Sequence, residues 1–139
     1  VAVHCQGEPQ TMQENPDDDD ACREVLDFFK SRKEEFDKLH LPRLWIDPGI
    51  GFGKTLQNNL SLMRRLEEFI DSSWGILMGS SRKSWIDLLC DAPEPMERLG
   101  GSLASAVSAV SKGAEIIRAH DVQETVQAIK VSKILALKD

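Results

Sequence analysis

The chain has 139 residues, of which 41% are hydrophobic and 29% are charged, proportions ordinary for one globular domain or part of one. Its net charge of -6, without a basic stripe interleaved with aromatic residues, argues against nucleic acid as a partner. No run of 18 apolar residues is present, so no segment is expected to span a membrane, and no signal peptide is recognised after Val1.

The cysteines and histidines indicate neither a disulfide framework nor a metal site. Three widely spaced cysteines without a C-x-x-C pair favour reduced thiols in a cytoplasmic protein, and we expect Cys5 to be partly buried. No two of the three histidines lie at metal-ligand spacing on one helix, so the residues alone predict no protein-built metal centre.

The first third of the chain predicts two strands separated by a helix. Residues 1–6, VAVHCQ, alternate apolar and polar as a strand does. Pro16 and four aspartates then lead into a helix predicted over residues 19–38, whose apolar residues recur at helical spacing. Residues 44–46 form a short strand expected to be buried on both faces, with Asp47 at its carboxyl end.

A glycine-rich loop, PGIGFGKT, follows Asp47. Its glycines allow the backbone to take unusual angles and to approach a bound ring or phosphate, and Phe52 is its large apolar group. The dinucleotide fingerprint G-x-G-x-x-G fails because Lys54 stands at its third glycine. The P-loop pattern lacks its first glycine, and the next helix is predicted to begin near Leu60 rather than directly after Thr55.

The rest of the chain continues the alternation of helices and strands. Apolar spacing and breakers predict, in order, a helix over 60–69, a strand over 74–78, a helix around Trp85 to Leu89, a helix over 100–112, a strand over 114–118 and a helix over 122–137. The segment 100–112, GGSLASAVSAVSK, has the small residues of a closely packed helix.

Four strand–helix units predict an α/β fold with a parallel sheet and right-handed crossovers. Polar side chains recur just after the strands, at the face where barrel enzymes gather their active sites. Because a (β/α)8 barrel takes roughly 250 residues, four units in 139 residues indicate the second half of a TIM barrel, with residues 1–139 as a partial domain.

Three groups of residues are candidates for chemistry. Asp47 could accept hydrogen bonds from a heterocycle, although an acid there is also common as a turn or cap residue. Arg82 and Lys83 stand where a helix begins, so their charges oppose the helix dipole unless an anionic or electron-rich group compensates them. A solvated surface turn is the alternative. Arg118 and His120 could hold a phosphate, or Arg118 could pair with Asp121 or Glu124 instead.

Four segments of the chain resemble the dihydropteroate synthase family. They are HCQGEPQTMQENP at 4–16, DPGIGFGKTLQNNL at 47–60, GSSRKS at 79–84 and ERLGGSLASAVSAVSKGAEIIRAHDV at 97–122. The family is a (β/α)8 barrel that condenses 4-aminobenzoate with 6-hydroxymethyl-7,8-dihydropterin diphosphate in folate biosynthesis. The resemblance implies a magnesium-dependent transferase, a sulfonamide target, that acts as a homodimer in its full-length form.

The resemblance also implies a role for each candidate residue. Catalysis would fall to Lys83 and Asp47. The residues implied to bind pterin are Asp47, Phe52, Gly79, Arg82 and Lys83; those for 4-aminobenzoate are Phe52, Lys83 and Ser84; and those for the diphosphate are Arg118 and His120.

The chain departs from the family in two respects. Val3 and Cys5 stand where family members often have methionines beside the histidine. The magnesium-binding asparagine and the mobile loops belong to the family's first four strands, so we expect the chain by itself to have little or no synthase activity. The alternative functions are a pterin-binding module of the folate-dependent methyltransferase type, against which the SRK segment argues, and an inactive half-barrel that pairs with another.

Overall fold

The computed structural model describes residues 1–5 and 21–137. Within these ranges a single parallel sheet contains four strands in sequence order, namely β1 (Ala2–Val3), β2 (Trp45–Asp47), β3 (Gly75–Met78) and β4 (Ile116–Ile117). The helices are α1 (Ala21–Ser31), α2 (Lys33–Lys38), α3 (Leu56–Arg64), α4 (Ser84–Cys90), α5 (Leu99–Ser111) and α6 (Val122–Leu135), with 3-10 turns at Leu66–Phe69 and Pro95–Arg98. The predicted α/β order is confirmed.

The core lies where the apolar faces of α1 and α3 meet the central strands. Its fully buried side chains include Phe29 of α1, Leu62 of α3, Ile46 of β2 and Ile76 of β3. Burying a side chain of this size stabilises the fold by about 1.5–3 kcal/mol. The central strands are therefore held in place, and the loops that follow them start from fixed positions.

The prediction that residues 44–46 are buried on both faces is wrong for Trp45. Trp45 is only half-buried, and its indole Nε1 donates to Glu115 Oε2 at 3.2 Å. It lies against Gly75, where an added Cβ would come within 2.7 Å of the indole ring. This face of β2 is thus partly polar, because Glu115 also receives a salt bridge from Arg43 at 2.7 Å.

The helix predicted over 19–38 is two helices within the described residues. It is interrupted at Arg32, whose N–H donates to the carbonyl of Phe29 while the hydroxyl of Ser31 donates to the carbonyl of Phe28. Such local bonds compete with the regular helical ladder. The predicted start at residue 19, the acidic entry at 17–20, Gln6 and most of the segment 4–16 lie outside the described residues.

The helix after the glycine loop starts four residues earlier than predicted. It begins at Leu56, and Thr55 caps it by accepting a hydrogen bond from the N–H of Asn58 at 3.1 Å. The apolar pattern missed this turn because Asn59, a polar residue, occupies a buried position in it.

Helix α5 packs closely because its buried face carries only small residues. A Cβ on Gly101 would lie 2.4 Å from Cγ2 of Ile86 in α4. Ser105 approaches the end of β3, where its hydroxyl hydrogen-bonds the hydroxyl of Ser80 at 2.8 Å. The expectation of a closely packed helix is confirmed.

Smaller differences concern boundaries and one cysteine. The strand predicted over 114–118 is limited to Ile116–Ile117, and α6 ends at Leu135. Cys5 is exposed rather than partly buried, since it lies past the end of β1. Among the described helices, none combines the length and the apolar character that crossing a bilayer requires.

Candidate active site

Asp47 ends β2 at the carboxyl edge of the sheet and is almost entirely buried. The side chain is 3% exposed, and its Oδ1 accepts a hydrogen bond from the N–H of Gly49 at 2.8 Å. Its backbone carbonyl accepts from the N–H of His4, which joins the ends of β1 and β2. Within the described residues no hydrogen bond engages Oδ2, so this oxygen can still accept from a ligand.

The glycine loop is tied down by Asn59, a residue that the sequence reading did not select. Its side-chain carbonyl accepts from the N–H of Gly51 at 2.8 Å, and its amide nitrogen donates to the carbonyls of Lys54 and Thr55. The loop is therefore fixed by a buried side chain of α3. The sequence could have indicated this role only through an asparagine on the buried face of α3. That face was not recognised, because the first turn of α3 is predicted as loop.

Lys54 is a second residue that the sequence reading missed. Its Nζ donates to the carbonyl of Gly49 at 3.0 Å and lies 3.1 Å from Nδ1 of His4. Burial, opposed mainly by neighbouring acidic groups, lowers the pKa of Lys54 to about 8, and burial together with the Lys54 charge lowers the pKa of His4 to about 4. A neutral His4 can accept from this ammonium. The P-loop pattern fails on its first glycine, where Pro48 stands, but not on the helix start, because α3 begins directly after Thr55.

Lys83 connects the glycine loop to the segment after β3. Its Nζ donates to the carbonyl of Ile50 and lies 4.2 Å from the centre of the Phe52 ring, within the range of a cation–π interaction. Burial lowers the pKa of Lys83 to about 8; Asp47 opposes this shift, and Arg118 and Lys54 add to it. The ammonium is thus partly desolvated and within electrostatic range of the Asp47 carboxylate.

Arg82 is compensated from within the chain. Its guanidinium forms a bidentate ion pair with Asp121, the first bond being 3.0 Å from Nε to Oδ2. This hydrogen bond lowers the pKa of Asp121 below its ordinary value. The anionic group expected beside the helix start is therefore Asp121, and the alternative pairing of Asp121 with Arg118 is wrong.

Arg118 remains available at the edge of a cavity of about 560 Å³. Among the described residues, no hydrogen bond or ion pair engages its guanidinium. The cavity is lined by Gly79, Ser81, Arg82, Lys83, Pro95, Arg118, Ala119 and His120. A Cβ on Gly79 would lie 3.0 Å from two guanidinium nitrogens of Arg118. Only glycine at this position therefore avoids crowding the Arg118 side chain.

His120 is oriented by Ser81, another residue that the sequence reading did not select as a site residue. The Ser81 hydroxyl lies 3.1 Å from Nδ1 of His120 and accepts from the His120 N–H at 3.2 Å. Nε2 of His120 carries no hydrogen bond within the described residues and is available to an anion.

The structure brings most, but not all, of the predicted site residues to one cavity. Five of them line it, namely Gly79, Arg82, Lys83, Arg118 and His120. Asp47 and Phe52 lie on the glycine-loop side of Lys83, and Ser84 is exposed as the first residue of α4. The arrangement combines a buried carboxylate, a desolvated ammonium, and an arginine with a histidine, which suits an anionic ligand with a polar ring.

Comparison with known proteins identifies the family. The model of the family described as "Pterin binding enzyme" matches residues 1–120. The chain belongs to the pterin-binding enzyme family. Its match to a dihydropteroate synthase of Escherichia coli strain K12 is 47% identical and covers 93% of this chain and 46% of that protein.

Solved structures of the same enzymes share the fold of this pterin-binding chain. The dihydropteroate synthase of Stenotrophomonas maltophilia superposes with a TM-score of 0.87 at 38% identity, covering 99% of this chain and 53% of that one. That of Thermus thermophilus, solved with 4-aminobenzoate and with 6HMPPP, superposes at 0.86 and 35% identity, covering 96% of this chain.

The chain spans about half the length of these relatives. Because the matching synthases are TIM barrels, the four β/α units correspond to half of such a barrel, as predicted. The described part of this pterin-binding chain holds no group of three or more His, Cys, Asp or Glu that could bind a metal ion. The described residues thus offer no such cluster for the magnesium that the resemblance implies.

Proposed function

We propose that the chain is the C-terminal half of a dihydropteroate synthase, which joins 4-aminobenzoate to 6-hydroxymethyl-7,8-dihydropterin diphosphate. The observation that carries this proposal is the single cavity at which Lys83, Arg118 and His120 meet, with the Asp47 carboxylate within electrostatic range of Lys83. The 4-aminobenzoate complex of the Thermus relative supports the choice of substrate.

The pterin would lie against the glycine loop. Oδ2 of Asp47 would accept from the N–H groups of the ring, Lys83 would donate to a ring oxygen or nitrogen, and Gly79 would let the ring approach the sheet. Phe52 would contact both substrates. Arg82, with its charge balanced by Asp121, would border the pterin.

The reaction breaks the carbon–oxygen bond between the pterin methylene and the diphosphate. Arg118 and Nε2 of His120 would stabilise the leaving diphosphate, since charge-assisted hydrogen bonds are the stronger kind. The arylamine nitrogen then bonds to the methylene carbon and loses a proton. Ser84 would orient the 4-aminobenzoate carboxylate, so the protein contributes orientation and charge stabilisation.

Four further parts of this proposal rest on the resemblance. Magnesium, with ligands supplied by the other half of the barrel, would neutralise diphosphate charge when bound. The complete protein would be a cytoplasmic homodimer and a sulfonamide target. Equilibrium dialysis with Mg²⁺ tests the metal, and sedimentation analysis of the complete protein tests the homodimer.

The decisive experiment is turnover by a completed barrel. We define the completed barrel as this chain joined to the part of the Escherichia coli relative that it does not match. We expect it to form dihydropteroate and diphosphate, whereas the 139-residue chain alone should have little or no activity. A completed barrel that unfolds cooperatively but binds neither substrate would contradict the proposal, and comparable rates for chain and barrel would contradict the need for a second half.

The pH dependence of the completed barrel should report Lys83. Because the pKa of Lys83 is lowered to about 8, the ammonium is lost as pH rises through that value. We expect kcat/KM to fall above pH 8 and the fall to move to higher pH in Lys83→Arg, because arginine stays charged. A fall that stays near pH 8 in Lys83→Arg but moves in Lys54→Arg would assign it to Lys54 instead.

Lys83 should make the free energy of unfolding rise with pH, whereas it makes kcat/KM fall. The folded pKa of about 8 lies below the ordinary value of 10.5, so the unfolded chain binds more protons between these values. The contribution of Lys83 to the free energy of unfolding therefore rises as pH rises from 8 toward 10.5. Urea unfolding of the wild type and of Lys83→Met across this pH range measures the contribution, and parallel pH profiles would contradict it.

The proposed diphosphate site predicts a selective binding defect. Arg118→Ala should raise the KM for the pterin diphosphate about 10- to 100-fold, the value of one charge-assisted hydrogen-bonding group. Inhibition by inorganic diphosphate should weaken in parallel, while the KM for 4-aminobenzoate stays the same. Arg64→Ala removes an exposed arginine that does not line the cavity and should change neither constant. Equal effects on both substrates would contradict the assignment.

A further inference from the structure

The segment that carries Lys83 contains a strained residue. Arg82 has a φ of 58°, the left-handed region that favours glycine, although it bears a long side chain. It stands between β3 and α4, so its backbone angles set the direction in which the chain reaches Lys83. A residue in this conformation persists only when surrounding contacts hold it there.

The backbone N–H and the backbone carbonyl of Arg82 both form hydrogen bonds with residues at the start of α5. The hydroxyl of Ser102 accepts from the N–H of Arg82 at 2.9 Å, and Nη1 of Arg98 donates to the carbonyl of Arg82 at 2.9 Å. Ser102 in turn donates to the carbonyl of Arg98 at 2.7 Å, so the two residues form one connected clamp. Only the side chain of Arg82 is left to pair with Asp121.

The clamp is rigid because Arg98 is buried and donates hydrogen bonds to three backbone carbonyls. It is 8% exposed, its Nε donates to the carbonyl of Ala92 at 2.7 Å, and its Nη2 donates to the carbonyl of Pro93. Three backbone carbonyls therefore fix the orientation of the planar guanidinium. Lysine cannot reproduce this geometry, because its ammonium places all its donors on one nitrogen.

We propose that Arg98 and Ser102 are positioning residues that hold Arg82 in its left-handed conformation and thereby direct Lys83 into the cavity shared with Arg118. The proposal rests on the proposed synthase function and extends it to two residues that do not line the cavity. If Arg82 relaxed to negative φ, the peptide bond before Lys83 would rotate. The Lys83 ammonium would then move away from the Ile50 carbonyl and the Phe52 ring.

The test compares two buried serines of the same helix in the completed barrel. Ser102 and Ser105 are each 5% exposed, and each loses one buried hydroxyl on replacement by alanine. Ser105 bonds Ser80 and the carbonyl of Ser102 but does not contact Arg82. We expect both variants to lose similar thermal stability, but only Ser102→Ala to lower kcat/KM for the pterin diphosphate by about tenfold, the value of one hydrogen bond.

A second variant keeps the proposal testable if Ser102→Ala fails to fold. Arg98→Lys preserves the charge but not the fork, and it should lower kcat/KM at least as much as Ser102→Ala while the barrel still unfolds cooperatively. Equal kcat/KM for the Ser102 and Ser105 variants, or an unchanged value for Arg98→Lys, would overturn the positioning role alone. A wild-type completed barrel without turnover would overturn the proposed function and this role with it.

Discussion

Replacing Lys83 with methionine in the completed barrel is expected to lower kcat/KM by at least about a hundredfold, the usual effect of deleting one charged donor from a reaction site. Methionine retains most of the length and the apolar stem but not the ammonium. In the structure that ammonium donates to the Ile50 carbonyl and lies over the Phe52 ring. The negative charge of Asp47 also favours its charged form. Steady-state formation of dihydropteroate near neutral pH measures the effect.

The control is Lys130→Met, because Lys130 is an exposed lysine of α6 that does not line the cavity. It should leave kcat/KM unchanged. Thermal unfolding of Lys130→Met should resemble that of the wild type. Lys83→Met should be at least as stable as the wild type near neutral pH, because the Lys83 ammonium is held there at a desolvation cost. A Lys83→Met variant with wild-type kcat/KM would remove Lys83 from the proposed mechanism.

Gly49→Ala is expected to be the most destabilising single substitution that we propose, by about 3–5 kcal/mol from backbone strain and overpacking together. Gly49 has a φ of 75°, and a Cβ there would lie 1.8 Å from the backbone carbonyl oxygen of His4. That oxygen cannot move away as a flexible side chain would, because the His4 N–H is bonded to the Asp47 carbonyl. Urea unfolding followed by tryptophan fluorescence measures the loss.

Gly100→Ala provides a matched control for the glycine prediction. Gly100 lies in α5 with no heavy atom within 4 Å of an added Cβ, so alanine should stabilise the helix by about 0.5–1 kcal/mol. Gly49→Ala should also weaken pterin binding, because the Gly49 N–H orients the Asp47 carboxylate. Equal unfolding midpoints for the two alanine variants would contradict this account of the loop.

The convergence of most candidate side chains on one cavity could be predicted because these groups follow the strands directly. Asp47, Lys83, Arg118 and His120 each stand at or just after the carboxyl end of a strand, and parallel strands bring those ends to one edge. The partners of these groups could not be predicted. The residue types make Asp121 a possible partner for Arg118, yet it pairs with Arg82, since the left-handed turn at Arg82 sends that side chain toward α6.

The supporting residues escaped prediction for a common reason. Asn59, Lys54, Ser81 and Arg98 act through hydrogen bonds to backbone groups, and such bonds depend on where a carbonyl or N–H lies in space. Apolar periodicity carries no information about those positions. It even misled at residues 56–59, where a buried asparagine made the first turn of α3 look like loop.

The sequence by itself determined the alternation of strands and helices, the half-barrel size and the set of reactive side chains, because hydrophobic period and strand-end polarity are local properties of the chain. Only the tertiary structure decided which of those side chains face one cavity, which charges neutralise each other and which buried residues hold the loops. Those outcomes depend on contacts between positions as distant as residues 82 and 121, whose pairing energy exists only after the sheet has formed.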